Sequence, residues 1–406
     1  MIPSTSFSSF LALPALALLS LSVSALSHPR AASGTAALKL AVSINSYGIK
    51  NIAAADRARI QALQAGGSSS VNANNTIMIY TADIGVGSPE TYYTLLVDTG
   101  SSLTWIGANK AYMQTNTSHD THNQFYIAYA GGSSIDGEEY TDTVTLNSDL
   151  VIVNQSIGVA SASAASNLRG LDGMLGLGPV GLTQGIISNT DEVATVMDNL
   201  YAQKTISSEV LGVFFAPASS DDSSGELTFG GYDTSKITGD ISYVSITSTS
   251  PANSYWGIDQ SISYGSTSIL DETAGIVDTG TTLILIATDA FDKYKSATGA
   301  TLDNSTELLK ISSDQYDQLS SLYFTTGGVT YELTPNGQIW PRSLNSAIGG
   351  TAKGIYLIVA DSGSNSGSGL DFTNGYCFLE RFYSVYDTTN SRVGFATTEY
   401  TYATTN

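Results

Sequence analysis

Two stretches of this chain share one plan. Residues 95–106 read LLVDTGSSLTWI and residues 275–286 read GIVDTGTTLILI. In each, an aspartate closes a run of strand-forming apolar residues, Thr-Gly and a second hydroxyl residue follow, and another apolar run begins. The aspartates, Asp98 and Asp278, stand 180 positions apart. One Asp-Thr-Gly is a weak signal. Two with matching flanks imply a chain of two halves, each carrying one aspartate to the end of a strand.

The residues around each aspartate suit a close meeting of the two turns. Gly100 and Gly280 have no Cβ, so the backbone can turn tightly and approach its mate. Ser101 and Thr281 can hydrogen-bond the outer carboxylate oxygens, and Thr99 and Thr279 can tie the two loops together. Two carboxyls held about 3 Å apart cannot both ionise, so they share one proton. The ionised one can take a proton from a water between them while the other gives a proton to a carbonyl. That pair can hydrolyse a peptide bond with no metal, cofactor or covalent intermediate.

The rest of the chain from Thr76 reads as β. Short runs rich in Val, Ile, Thr and Tyr, such as DTVTLNSDLVIVNQSIGV and ELTFGGYD, alternate with Gly, Asn and Asp turns. Helical patterns are few, at 192–203, 288–299 and 312–322. Residues 217–226 and 360–369 read as surface loops. With 406 residues there is room for two lobes, expected to meet near 235–250.

The N-terminal part differs in character. Phe10 to Leu26 is apolar and ends in a small-residue cleavage pattern at Ala25, so residues 1–25 read as a secretory signal. Residues 26–70 are basic and Ala-rich, and NIAAADRARIQALQAGG reads as a helix stopped by two glycines. Of the 16 basic residues 5 precede residue 71, against Asp56 alone of the 36 acidic ones. Beyond it 11 basic residues face 35 acidic ones, a net charge of −24. Such a body repels nucleic acid and anionic membranes, and repels itself less in acid. A basic segment, an exposed linker and an acidic body suggest a propeptide. The single cysteine, Cys377, excludes an internal disulfide and reads as a small buried hydrophobe.

Over residues 76–400 the chain resembles the pepsin-type aspartic proteases, and in particular their fungal polyporopepsin-like branch, which also lacks disulfides. The resemblance implies an all-β, bilobal fold: two β-barrel-like lobes, an active-site cleft between them and a few short helices. The lobes are expected at 71–245 and 246–406, after a propeptide at 26–70. It implies a monomeric, secreted acid endopeptidase acting on proteins and peptides and held inactive by its own propeptide, and the acidic, sequon-bearing surface favours secretion over a vacuolar site. Asp98 and Asp278 match the family's catalytic pair, and Trp105 the tryptophan that follows the first motif. IAYAGGSS (127–134) matches the hairpin flap, with Tyr129 as its tyrosine, although Ala130 replaces a usual glycine while Gly132 remains. Gly131 stands where some relatives carry an acidic residue that accepts Lys, so large apolar residues are expected on both sides of the cleaved bond. DGMLGLGP (172–179) matches the apolar-apolar-Gly segment packed on the first Asp loop, with Gly176 as its glycine. Its second copy reads Thr373-Asn374-Gly375, which has lost the apolar pair. In the family a basic propeptide residue pairs with the dyad, and Lys39 and Lys50 are the candidates, with release in acid and a cut near Gly66–Asn74.

Asn74, Asn116, Asn154 and Asn304 head Asn-x-Ser/Thr sequons. His119 and His122 flank Asp120 with metal-like spacing, but they sit in a polar loop with no further His beyond residue 76, so no metal site is expected. The same scarcity argues against Ser-His-Asp catalysis. Two other classes compete: an inactive relative that uses the cleft to bind peptides, and a secreted β-rich carbohydrate-binding protein. The first should lack a dyad aspartate, and the second gives no reason for two matched Asp-Thr-Gly turns.

Overall fold

The structure, a computed structural model, describes residues 35–44, 51–64, 78–128, 134–161, 170–220 and 224–406. The expected signal, Lys50, the linker with Asn74, and the hairpin residues Tyr129, Ala130, Gly131 and Gly132 lie outside these.

Both Asp-Thr-Gly segments stand in the same local arrangement of strands. Thr91–Asp98 runs parallel to the short strand Gly173–Gly176, with Asp98 opposite Gly176. Trp105–Ile106, which follows the turn, pairs antiparallel with the other edge of that short strand. In the second half Thr267–Val277 runs parallel to Phe372–Asn374, and Ile284–Ile286 pairs antiparallel with it. Each aspartate turn is therefore clasped by a short third strand that its two arms flank.

The second clasp replaces apolar side chains by Thr373 and Asn374, both fully buried. Burying an amide without partners costs free energy. Here Asn374 and Gln260 exchange two side-chain hydrogen bonds, of 2.9 and 3.3 Å, inside the core. The Asn374 carbonyl also accepts the Asp278 N–H at 3.1 Å. A closed amide pair thus takes the place of the apolar pair, and the packing beneath the Asp278 turn is kept.

A thirteen-stranded sheet and a seven-stranded sheet carry the two turns, with a third, three-stranded sheet beside them. In the larger sheet Met78–Val86 pairs with Thr91–Asp98 and also with Ser134–Asn147, which curls that half into a barrel-like form. Its other end holds Val210–Phe215, Phe382–Asp387, Arg392–Thr397 and Ser242–Ser245. The C-terminal strands thus complete a sheet begun by the first half of the chain.

The N-terminal segment is woven into this sheet. Ala36–Ile44 lies between Ser224–Phe229 and Met78–Val86, with Lys39 opposite Glu226 and Ala41 opposite Thr81. Sequence reading saw only a helix here. The strand follows from the alternation in ALKLA, which buries Leu38 and Leu40 and leaves Lys39 outward.

The expected helices form within the expected stretches. Ile52–Gln64 is the longest. Val196–Ala202 starts at a Thr195–Asp198 capping box. Thr288–Thr298 ends at Gly299, whose φ of 66° closes it in the left-handed region. Ser313–Tyr316 is a single turn, shorter than expected. Cys377 is buried beneath the second turn, its N–H donating to the Thr282 carbonyl, and burial pushes its thiol well above the usual range. Among the described residues no helix is long and apolar enough to cross a membrane.

Candidate active site

Asp98 and Asp278 are delivered by their strands to the point where the two turns cross, and neither is exposed. The crossing is symmetric at the backbone. The Thr99 N–H donates to Thr279 Oγ1 and the Thr279 N–H to Thr99 Oγ1, both at 3.0 Å. Thr279 Oγ1 in turn donates to the Val97 carbonyl. Each carboxylate is oriented by its own turn. Ser101 Oγ donates to Asp98 Oδ2 at 2.7 Å and Thr281 Oγ1 to Asp278 Oδ2 at 2.5 Å. The N–H groups of Gly100 and Gly280 donate to the Oδ1 atoms at 2.9 and 3.0 Å.

The glycines are required by the approach of the turns. A Cβ on Gly100 would lie 2.6 Å from Asp278 Oδ1, and one on Gly280 would lie 2.5 Å from Asp98 Oδ1. The two carboxylates therefore face each other across a gap that admits no side chain from either turn.

One guanidinium occupies that gap, and it comes from the N-terminal helix. Arg59 Nη2 donates to Asp98 Oδ1 at 2.7 Å and to Asp278 Oδ1 at 3.0 Å, while Nε donates to Asp278 Oδ2 at 2.8 Å. Its side chain is 4% exposed. Only the planar fork of arginine can meet both carboxylates with several N–H groups at once. The expectation of Lys39 or Lys50 is corrected here. Lys39 projects from the sheet and pairs with Glu226, and Lys50 lies outside the described residues.

The helix is held along its length. Asp56 accepts from the Thr282 and Leu283 N–H groups at 3.2 and 2.8 Å, just beyond the second turn. Tyr255 OH donates to the Leu63 carbonyl, and Gln64 donates to Ser368 Oγ and the Leu370 carbonyl. Ile52, Ala53, Ile60 and Leu63 are buried. A readable signal was present in the sequence. Positions 52, 56, 59 and 63 form one helical stripe that is apolar at its ends and charged in its middle, where a charge needs a buried partner.

Burial pushes the Asp98 carboxyl above the usual range despite the opposing pull of Arg59. The same burial acts on Asp278, but Arg59 outweighs it by charge and by hydrogen bonding, with help from Thr281 and Gly280, and holds it below that range. Arg59 is disfavoured by burial too, yet the two carboxylates outweigh this and keep it protonated. Burial raises Asp56 to about 7 against the Leu283 and Thr282 N–H groups and the Arg59 charge.

Trp105 is wholly buried in a cluster with Phe125, Ile127 and Met174, apart from the core that includes the N-terminal helix. It braces the strand His119–Ala128 that leads toward residues 129–133. Asn116, Asn154 and Asn304 are exposed.

The model of the family described as eukaryotic aspartyl protease matches residues 79–398. Polyporopepsin of Irpex lacteus is 60% identical over 341 residues, covering 83% of this chain and 99% of that protein. Rhizopuspepsin-4 of Rhizopus niveus is 32% identical over 72% of this chain and 73% of its own length. Gastricsin of Homo sapiens is 30% identical, covering 78% and 81%. The crystal structure of the Irpex lacteus aspartic proteinase superposes with a TM-score of 0.77 at 60% identity, over 81% of this chain and 96% of that one. With one pepsin-like, mostly β fold around paired aspartate turns, and with these relatives, the chain belongs to the eukaryotic aspartyl protease family and is an aspartic endopeptidase.

Proposed function

We infer that this chain is the precursor of a secreted acid endopeptidase in which Asp98 and Asp278 are the catalytic pair. The observation that carries this is the Arg59 guanidinium lying between the two carboxylates. A cation there neutralises the pair and fills the place a water and a scissile bond would need. Residues 1–25 act as the signal and 26–70 as the propeptide, followed by lobes at 71–245 and 246–406. The signal-like start and the acidic surface support an extracellular site. Exposed Asn116, Asn154 and Asn304 are the described sequons open to glycosylation. By its resemblance to the family the mature enzyme is proposed to act as a monomer.

Once the helix leaves, the freed carboxyls share one proton. One takes a proton from the attacking water, the other protonates the substrate carbonyl, and the tetrahedral intermediate collapses as the amine leaves. The test uses the full chain at neutral and at acid pH, with N-terminal sequencing and casein hydrolysis followed together. Activity that appears in acid with a new N-terminus supports the reading. An uncut chain in acid counts against it.

Gly280→Ala is expected to lower kcat/KM about a hundredfold, because its Cβ would displace the Asp98 carboxylate. Steady-state rates on an apolar peptide check this. The cleft is expected to prefer large apolar residues beside the cleaved bond, since Gly131 offers no charge there. A peptide library that instead favours Lys at that position contradicts this.

Proton linkage acts on the helix in two directions. Asp56 titrates at about 7 when docked, above the ordinary 3.8, so it stabilises docking in acid and that contribution is lost as pH rises through about 7. Asp278 acts oppositely: Arg59 holds its carboxyl below the usual range when docked, so its protonation as pH falls favours release. Asp56→Asn is therefore expected to remove the weakening of docking that builds between about pH 4 and 7 and is complete by about pH 8. Trypsin cleavage after Arg59, which requires release, reads this directly. It should quicken with pH in the wild type beyond trypsin's own pH dependence, and not in the variant.

A further inference from the structure

Beside Arg59 a second arginine of the helix finds a partner that the hydrolytic chemistry does not use. Arg57 Nε donates to the Asp361 carbonyl at 3.0 Å, and its Nη2 lies 4.0 Å from Asp361 Oδ2. Asp361 ends the strand Val359–Asp361, opposite Ile286 on the arm that follows the Asp278 turn. Its other oxygen is already occupied. Oδ1 accepts from Thr288 Oγ1 at 2.6 Å and from the Gly363 N–H at 2.8 Å. The carboxylate is thus fixed by its own loop through Oδ1, while Oδ2 faces the helix. Gly363, at φ +87°, lets the Arg57 stem lie close, since a Cβ there would be 2.9 Å from Arg57 Cδ.

Resting on the reading that the helix leaves the cleft, we propose that Asp361 is a specificity-determining residue that binds a Lys or Arg side chain of the substrate at a position outside those flanking the scissile bond. Departure of the helix removes the Arg57 cation and leaves a preorganised carboxylate and carbonyl at the rim. Oδ2 and the carbonyl oxygen then offer two acceptors to one incoming cation. The body around it is strongly acidic, which draws basic segments toward the cleft at low salt. An apolar pair at the cleaved bond with a basic residue farther out is the substrate pattern this implies.

The test uses the full chain, wild type and Asp361→Asn, each converted in acid. The substrates are a neutral peptide with apolar residues at the cleaved bond and its variants with Arg at each of the outer positions in turn. Asparagine keeps the Oδ1 acceptor for Thr288 and Gly363 and removes the charge. The readout is the ratio of kcat/KM for each Arg variant to that for the neutral peptide, measured at about pH 5 in low salt, where an ordinary carboxylate is ionised. The expected result is a gain of about fivefold at one outer position in the wild type, lost in Asp361→Asn. No gain at any outer position, or a gain that persists in Asp361→Asn, overturns the proposal. Hydrolysis of the neutral peptide reports separately on the endopeptidase reading.

Discussion

Arg59→Ala is expected to let the full chain open its cleft near neutral pH, where the wild type stays closed. Arg59 is buried with the two carboxylates it joins, so its removal leaves charges with neither water nor a counter-ion. Breaking a buried pair in this way costs about 3–5 kcal/mol, which weakens docking of the helix at least a hundredfold. The carboxylates recover that free energy when the helix leaves and water and a shared proton return. Arg59→Lys should fall between, because an ammonium is a single point charge that cannot match three N–H···O contacts across two side chains. Conversion of the chain at about pH 6.5, followed by N-terminal sequencing, orders the three proteins. If Arg59→Ala converts with the wild-type pH profile, the helix is held instead by burial of Ile52, Ala53, Ile60 and Leu63.

Asp98→Asn and Asp278→Asn should each lower kcat/KM by about 10³-fold or more. The chemistry needs one carboxylate to accept a proton from water and one carboxylic acid to donate a proton, with the roles exchanged in each turnover. An amide can do neither. Geometry is not the cause of the expected loss, because asparagine can keep its Oδ1 as acceptor of the glycine N–H while its amide N–H donates to the Ser101 or Thr281 hydroxyl oxygen. These variants cannot process themselves, so added wild-type enzyme must remove the N-terminal segment before rates are compared. Equal losses from both positions are expected, since the proton belongs to the pair. A variant that keeps a tenth of the activity would remove that aspartate from the mechanism.

The β fold and the pairing of the turns were legible because strand periodicity and the Asp-Thr-Gly plan are local signals. The hydrogen bonds of Ser101, Thr281, Thr99 and Thr279 follow from spacing alone, as each partner lies within three residues or across the symmetric crossing. What was missed depends on distant partners. Asn374 looked like a lost apolar contact because Gln260, 114 positions away, could not be matched to it by sequence. The resemblance implies a basic partner for the dyad without saying which, and Lys39 and Lys50 are two of five cations in the basic segment. The answer lay with Arg59, whose place on a buried helical stripe with Asp56 outweighs charge alone. Asp361 carried no motif, and its meaning comes only from the arginine that lies on it.

Casein hydrolysis at about pH 4, with and without pepstatin, by the acid-converted wild type and by Asp98→Asn processed in trans, tests the central claim most directly. The account predicts activity in the wild type alone, abolished by pepstatin. Undiminished hydrolysis by Asp98→Asn, or hydrolysis that pepstatin leaves intact, would contradict a proton-sharing pair formed by Asp98 and Asp278.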